Sequence, residues 1–394
     1  MNWLDNYAKY TKDHFSPALF HLWVGISCIS AVLERKVWTT LVRDKIYPNQ
    51  YVILVAPPGL CGKGAAMSLG KELLQEVDNL NIGPDMVTRE KLIKIMTEVQ
   101  DTYPDKITGR PIIHSSLTMI CDELESFMTA KNDDLVVFLT KIWSAEHLKK
   151  VEYKTKHVGE DIIIGPWLNM LGATIPAFFS LPIMQKVIGG GFSARTIFLY
   201  SEWPRPKRIG KEVSQAMDKW VEPLVEGLQE IHLLTGEFTF TDEAWAWFQP
   251  WVENAPQELI VDAAMAVFKI RETPHLMKIA MVLSASQGGN GMKITLDNCK
   301  MALYYLEAVE KWMRMLFTGT GRAETNEDCK TMLTYIDRID GPVGMDQLKQ
   351  DLAWDIALDN FYGTIHILLN AKEIKQVHTE DGHLWYERIR DKKE

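Results

Sequence analysis

Tyr51–Gly64 reads YVILVAPPGLCGKG, and this stretch decides the fold. Tyr51 to Ala56 form an unbroken apolar run, the pattern of a strand buried on both faces of a parallel sheet. Pro57, Pro58 and Gly59 end the strand, and Gly62–Glu76 carries a helical pattern. Gly59 and Gly62 let the intervening backbone curl, so that successive N–H groups point inward at phosphate oxygens. The helix adds the positive end of its dipole, and Lys63 a mobile cation for the β- and γ-phosphates of a nucleotide. The expected nucleotide contacts are Pro58, Gly59, Leu60, Cys61, Gly62, Lys63, Gly64 and Ala65. Pro57 replaces the first Gly of the G-x-x-x-x-G-K-S/T pattern, and Gly64 replaces the hydroxyl residue that normally holds magnesium. A glycine turn joining a strand to a helix is the plainer alternative. Buried strand, Gly-x-x-Gly-Lys and helix in that order favour the phosphate reading.

A second apolar strand, Leu117–Cys121, ends in Asp122-Glu123. In a parallel sheet that ending puts two carboxylates at the C-terminal edge, beside the phosphate loop. Asp122 is expected to hold Mg²⁺ through water, and Glu123 to orient and deprotonate an attacking water. Glu125 is the next carboxylate should Glu123 not be the base. A third strand, Trp167–Pro176, ends near Thr174, the best candidate to sense the γ-phosphate; Asn169, mid-strand, is the runner-up. Gly189–Arg195 is a glycine-rich loop before a fourth strand, Thr196–Tyr200. Arg195 there is either a finger reaching the ATP of a neighbouring subunit or a surface arginine in a salt bridge.

The 394 residues carry a formal net charge of −9, so nucleic acid can be held only by a local basic strip. The densest strip is Lys149–His157, with Lys149, Lys150, Lys154, Lys156 and His157 around Tyr153. Alternation puts Lys150, Lys154 and Lys156 on one side of a hairpin, suited to a single-stranded DNA backbone; a lysine-guarded strand edge is the alternative. Arg205, Lys207, Arg208 and Lys211 read as an exposed loop. The five cysteines show no metal-ligand spacing, which suits reduced thiols in a cytoplasmic protein. Pro17–Leu33 is apolar but short for a membrane span, contains His21 and is followed by Glu34, Arg35 and Lys36; it reads as a buried helix started by Ser16-Pro17.

The division expected is a helical segment at 1–45, an α/β phosphate-loop ATPase core at 46–204, a helical lid at 205–318 and a small unit at 323–394. The last has three helical patterns and then a hairpin turning at Asp381-Gly382, which suggests a winged helix. Its third pattern, Ala357–Asn370, has no Lys or Arg, so this unit is expected to bind a replication partner protein or pack between subunits rather than read a DNA sequence.

Ser16–His21, Tyr47-Pro48-Asn49, Cys121–Phe127, Gly172–Pro176, Gly191–Arg195 and Arg271–Ala280 together resemble a family of helicase-like phage and mobile-element ATPases. The motif order also resembles the AAA+ module of the MCM replicative helicases, although strand order, and with it AAA+ versus RecA-like class, is not readable here. In that likeness Cys121–Phe127 is similar to the Walker B motif, Ser193-Ala194-Arg195 to the arginine finger, and Arg271 to the second sensor arginine that contacts nucleotide. The resemblance implies ATP and Mg²⁺ between subunits of a ring, a hexamer, with single-stranded DNA in its pore, acting as a DNA helicase in replication; the rival readings are an ATPase that loads or remodels a partner replication protein, and a nucleotide-dependent scaffold or initiator that hydrolyses ATP weakly.

Overall fold

The computed structural model describes all residues except 1, 106–107, 129–132, 145–148, 156–158, 181–183, 185–186, 189, 209, 255–262, 289–290, 340, 353–354, 357–360, 371–372, 379–383 and 390–394. The chain is a mixed α/β protein with two compact units, Met1–Phe317 and Thr318–Glu394.

In the first unit, α1 (Trp3–Tyr10) and α2 (Ala18–Leu33) precede a hairpin of β1 (Val37–Leu41) and β2 (Asp44–Ile46). The central sheet has five strands: β3 (Tyr51–Val55), β4 (Gln100–Pro104), β5 (Pro111–Cys121), β8 (Pro166–Thr174) and β9 (Ile197–Tyr200). Their order is β4-β5-β8-β3-β9. β5, β8, β3 and β9 run parallel, while β4 pairs antiparallel with the first part of β5. Further along, the same edge of β5 meets Ile82, bridged in parallel to Thr118. The continuous apolar run of β3 follows from its place: every residue from Tyr51 to Val55 is buried between two neighbours and two layers of helix.

The helices α3 (Lys63–Gln75), α4 (Arg89–Glu98), α5 (Leu124–Phe127) and α6 (Asp133–Trp143) connect the strands. β6 (Lys150–Thr155) and β7 (Gly159–Ile164) form a separate antiparallel hairpin. The region after Trp203 is mainly helical, as its Trp- and Ala-rich amphipathic pattern implies: Lys211–His232, Asp242–Glu253, Ala263–Ile270, Glu272–Ser286 and Leu296–Arg338. It also contributes β10 (Gly236–Glu237), which extends β1, and a two-residue pair of β11 (Thr239–Phe240) with β12 (Lys293–Ile294).

The apolar run after Ser16 forms α2, and Trp23, Val24, Ile26 and Ile29 are fully buried. One detail differs from the sequence reading. Ser16 does not cap this helix; its hydroxyl donates to Gly62 O at 2.9 Å. The charged residues after the run, Glu34, Arg35 and Lys36, are all buried. Arg35 donates to Pro166 O at 2.9 Å and stacks over Tyr47, partners that local sequence does not announce.

The second unit holds the end of the helix Leu296–Arg338, helices Met345–Asp351 and Phe361–Asn370, and a three-stranded antiparallel sheet. The sheet order is β13 (Val343–Gly344), β15 (Leu384–Arg388), β14 (Ile374–His378). Its own core gathers Met332, Ile336, Leu348, Phe361, Ile365 and Tyr386. The turn expected at Asp381-Gly382 lies outside the described residues.

Candidate functional site

The loop from Ala56 to Gly62 leaves the C-terminal end of β3 and enters α3 at Lys63. Pro58, Gly59 and Leu60 are exposed at its tip, whereas Cys61 is buried with its thiol on Ser201 O at 3.4 Å. Gly62 caps α3 in the left-handed conformation, φ 57° and ψ 46°, which a side chain would resist. Lys63 arches back over the loop, its ammonium donating to Ala56 O at 2.6 Å. Burial pulls the Lys63 pKa below the ordinary lysine value, and the nearby Glu125 carboxylate opposes that shift.

Asp122 and Glu123 follow the last residue of β5, and both are exposed. A Cβ added to Gly64 would lie 3.6 Å from Asp122 Oδ2. The helix start and the acidic strand end therefore stand face to face, separated by about one side chain. Burial, then Asp85, raise the Asp122 pKa, and Lys71, ion-paired to Asp85 at 2.7 Å, offsets part of this.

β8 lies between β5 and β3, with Thr174 paired to Val55, the last residue before the loop. Thr174 Oγ1 donates to Glu125 Oε1 at 2.8 Å, and Ile175 N donates to the same oxygen at 3.1 Å. Thr174 is thus tied to Glu125, a residue the sequence ranked second to Glu123. Asn169 has a packing role: buried, it accepts from Gln50 N at 2.9 Å and donates to Ser27 O at 3.1 Å.

Arg195 and Arg271 are not at this loop. β3 and β9 are parallel, with Val52 level with Ile197 and Val55 level with Tyr200. The loop starts beyond Val55, and Arg195 comes before Ile197, so at least three strand steps, about 10 Å, separate their levels. Arg195 donates to Gly191 O at 2.7 Å and to Ser144 Oγ at 3.3 Å, with its guanidinium over Trp143. Arg271 caps the helix Glu272–Ser286, whose His275 touches Ala194 O at 3.1 Å. Both arginines act electrostatically on His275, which burial first and then Lys278, Arg195 and Arg271 hold at about 3 despite its bond to Ala194. Both arginines therefore lie towards the start of β9, at the other end of the strand from the Ala56–Gly62 loop of their own chain.

The hairpin expected around Lys149–His157 exists as β6–β7, rooted at the start of β8 where Gly165 N donates to Lys149 O at 2.8 Å. Its root is at the N-terminal edge of the sheet, where Ser115 pairs with Pro166. Lys150 is exposed and ion-pairs with Glu152, and Lys154 stands opposite Glu160 in the register. A carboxylate, that of Glu152, therefore shares the strip with Lys150, which the run of basic residues alone did not convey. Lys156 and His157 lie outside the described residues.

Three residues at the loop escaped sequence reading. A Cβ on Gly62 would come within 2.4 Å of the Phe15 ring and 2.9 Å of Ser16 Oγ, so the end of the segment 11–16, at Phe15 and Ser16, lies against the loop. Arg205, expected on an exposed loop, clamps that segment: it donates to Thr11 O at 2.6 Å, Lys12 O at 3.0 Å and Ser16 O at 2.8 Å. These partners stand almost two hundred residues apart in the chain, so no local pattern encodes them. Behind them His14 Nδ1 meets His21 Nε2 at 3.1 Å, and burial, with His14 and Arg205, lowers the His21 pKa to about 3.

No known protein family matches the chain, and no curated protein shows significant similarity to it.

Proposed function

We propose that the protein is a phosphate-loop ATPase of the AAA+ kind that works as a ring on single-stranded DNA, a helicase or translocase of phage or mobile-element replication. The observation carrying the reading is the gap between Gly64 and Asp122, 3.6 Å from a Cβ, at the mouth of a left-handed glycine turn. That gap suits a hydrated Mg²⁺ better than a directly bound one, because Asp122 can accept from its waters while Gly64 offers no side-chain hydroxyl. Mg²⁺ bound with ATP would neutralise charge developing on the transferring phosphoryl group.

The residues divide the remaining work. Lys63 exchanges Ala56 O for phosphate oxygens, and the amides of 59–64 line the cradle. Glu123 is the proton acceptor for water, and Thr174, braced by Glu125, orients that water or reports the γ-phosphate. The position of Arg195 and Arg271 away from their own loop supports a role across a protomer boundary. The β6–β7 hairpin is the proposed DNA contact, through Lys149, Lys150, Lys154, Lys156 and His157. The second unit, read as a winged helix, is assigned to protein contacts. A nucleotide-dependent scaffold or initiator with slow turnover is the second reading, and the missing hydroxyl at Gly64 is what favours it.

Subunit mixing tests the assembly. Arg195→Ala and Lys63→Ala are each expected to lose turnover, and mixtures to regain part of it at interfaces pairing an intact Lys63 with an intact Arg195. Absence of recovery in mixtures that exchange subunits would remove the trans role. For DNA, Lys150→Ala, Lys154→Ala and Lys156→Ala together are expected to weaken single-strand binding and flatten its salt dependence. Unchanged DNA binding would remove the hairpin assignment.

A further inference from the structure

We propose that Glu34, Asp101 and His114 form a binding site for a zinc-class divalent metal ion, at the end of the sheet away from the phosphate loop. One ligand atom from each lies within 4.8 Å of the other two. The three come from distant parts of the chain. Glu34 follows α2, while Asp101 of β4 and His114 of β5 are direct cross-strand partners, so their side chains leave the same face of the hairpin.

His114 carries the independent observation. The residue is fully buried, and its Nε2 has no hydrogen-bond partner. Its Nδ1 lies 2.8 Å from Ser116 Oγ, which also accepts from Arg35 N at 3.2 Å. If Nδ1–H donates to Ser116, Nε2 is a bare lone pair; if Ser116 donates, Nε2–H is a stranded donor. A buried orphan of either kind costs about 1–3 kcal/mol. Metal coordination at Nε2 removes the cost and uses the first tautomer, with Ser116 as the outer partner that orients the ring.

Glu34 adds a buried carboxylate held in a rare backbone conformation, φ 50° and ψ −158°, a region essentially reserved for glycine. Lys36 Nζ lies 3.1 Å from Glu34 Oε2 and also donates to His232 O at 2.6 Å. The lysine is therefore a competitor for Glu34 that retains a second partner when a metal takes the carboxylate. Asp101, Lys36 and His232 line a cavity of about 710 Å³, which gives an ion a way in and leaves room for a water ligand. One imidazole and two carboxylates suit Zn²⁺ with water in the fourth position; Mg²⁺ would favour an all-oxygen set.

The full-length protein, stripped by a chelator and then held in excess Mg²⁺, is titrated with Zn²⁺ and separately with Co²⁺. The expected result is one-to-one Zn²⁺ binding, a higher melting temperature, and a Co²⁺ absorption spectrum of tetrahedral type. Asp101→Asn, which changes a partly exposed strand residue and leaves the core intact, is expected to weaken Zn²⁺ binding by about tenfold or more. Lys36→Met is expected to strengthen it, and Asp122→Asn to leave it unchanged. No stoichiometric Zn²⁺ binding, or wild-type affinity in Asp101→Asn, would overturn the site.

Discussion

Gly62→Ala perturbs the Ala56–Gly62 loop, the proposed phosphate cradle, at its tightest point. The φ of 57° and ψ of 46° there cost a residue with a side chain about 1–2 kcal/mol. The new Cβ would sit 2.4 Å from Phe15 and 2.9 Å from Ser16 Oγ, so the ring must turn aside. The Ser16–Gly62 hydrogen bond, worth about 0.5–1.5 kcal/mol, would be lost with it. The sum is about 1.5–3.5 kcal/mol. The free loop can relax out of this conformation, so the cost reappears when a nucleotide re-imposes the curl. ATP affinity is then expected to fall by about 10- to 300-fold. Gly59→Ala is the comparison: its φ is 68°, but no atom lies within 4 Å of the added Cβ, so only the conformational share applies, about tenfold. In the Phe15→Ala background the Gly62→Ala penalty should shrink, because the ring is gone, and what remains above Gly59→Ala is the lost Ser16 hydrogen bond. Titration calorimetry with ATP on all four variants, after circular dichroism shows them folded, completes the cycle. Wild-type ATP affinity in Gly62→Ala, or an equal penalty with and without Phe15, would refute the reasoning.

Three further expectations follow from the site. Glu123→Gln should trap ATP with turnover nearly abolished, whereas Glu125→Gln, which weakens the brace on Thr174 and Ile175, should lower turnover by about tenfold with little change in ATP affinity; the reverse pattern in steady-state kinetics would make Glu125 the base. Gly64→Ser has room beside Asp122 and supplies the missing oxygen, so it should lower the Mg²⁺ concentration needed for turnover, read from a Mg²⁺ titration of ATPase rate. His21 and His275 are held neutral with pKa values of about 3, against about 6.5 when unfolded. Between those values the unfolded chain binds more protons, so stability is present above about pH 6.5 and lost as pH falls, on the order of 4 kcal/mol from the two by pH 5. Melting temperatures across that window check it, and a flat profile would contradict the burial of the two rings.

What the sequence made legible depended on the range of the interaction. β3 and β8 were readable because a strand buried on both faces is mostly apolar, with polar exceptions such as Asn169 that find internal partners. The start of β5 was not: His114, Ser115 and Ser116 are buried polar residues that look like loop in a one-dimensional pattern. The acidic strand end does lie beside the turn that enters α3, 3.6 Å from a Cβ on Gly64. The partnership of Thr174 with Glu125 was missed because it depends on β8 lying between β5 and β3, and order within a sheet leaves no local trace. Arg205 reads as one of several exposed cations until the fold brings three backbone carbonyls around it. The burial of Glu34, Arg35 and Lys36 is likewise unannounced: a charged triplet after an apolar helix usually meets water, and here it meets Ser116, Pro166 and His232.

The central claim is that Lys63 and the loop around it hold and help cleave ATP. The most direct measurement is steady-state ATP hydrolysis by the full-length protein with Mg²⁺ and single-stranded DNA, wild type against Lys63→Ala. Measurable turnover is expected in the wild type, and in Lys63→Ala a rate indistinguishable from buffer with weakened ATP binding, because the cation on the β- and γ-phosphates is gone. Wild-type hydrolysis that survives unchanged in Lys63→Ala would contradict it.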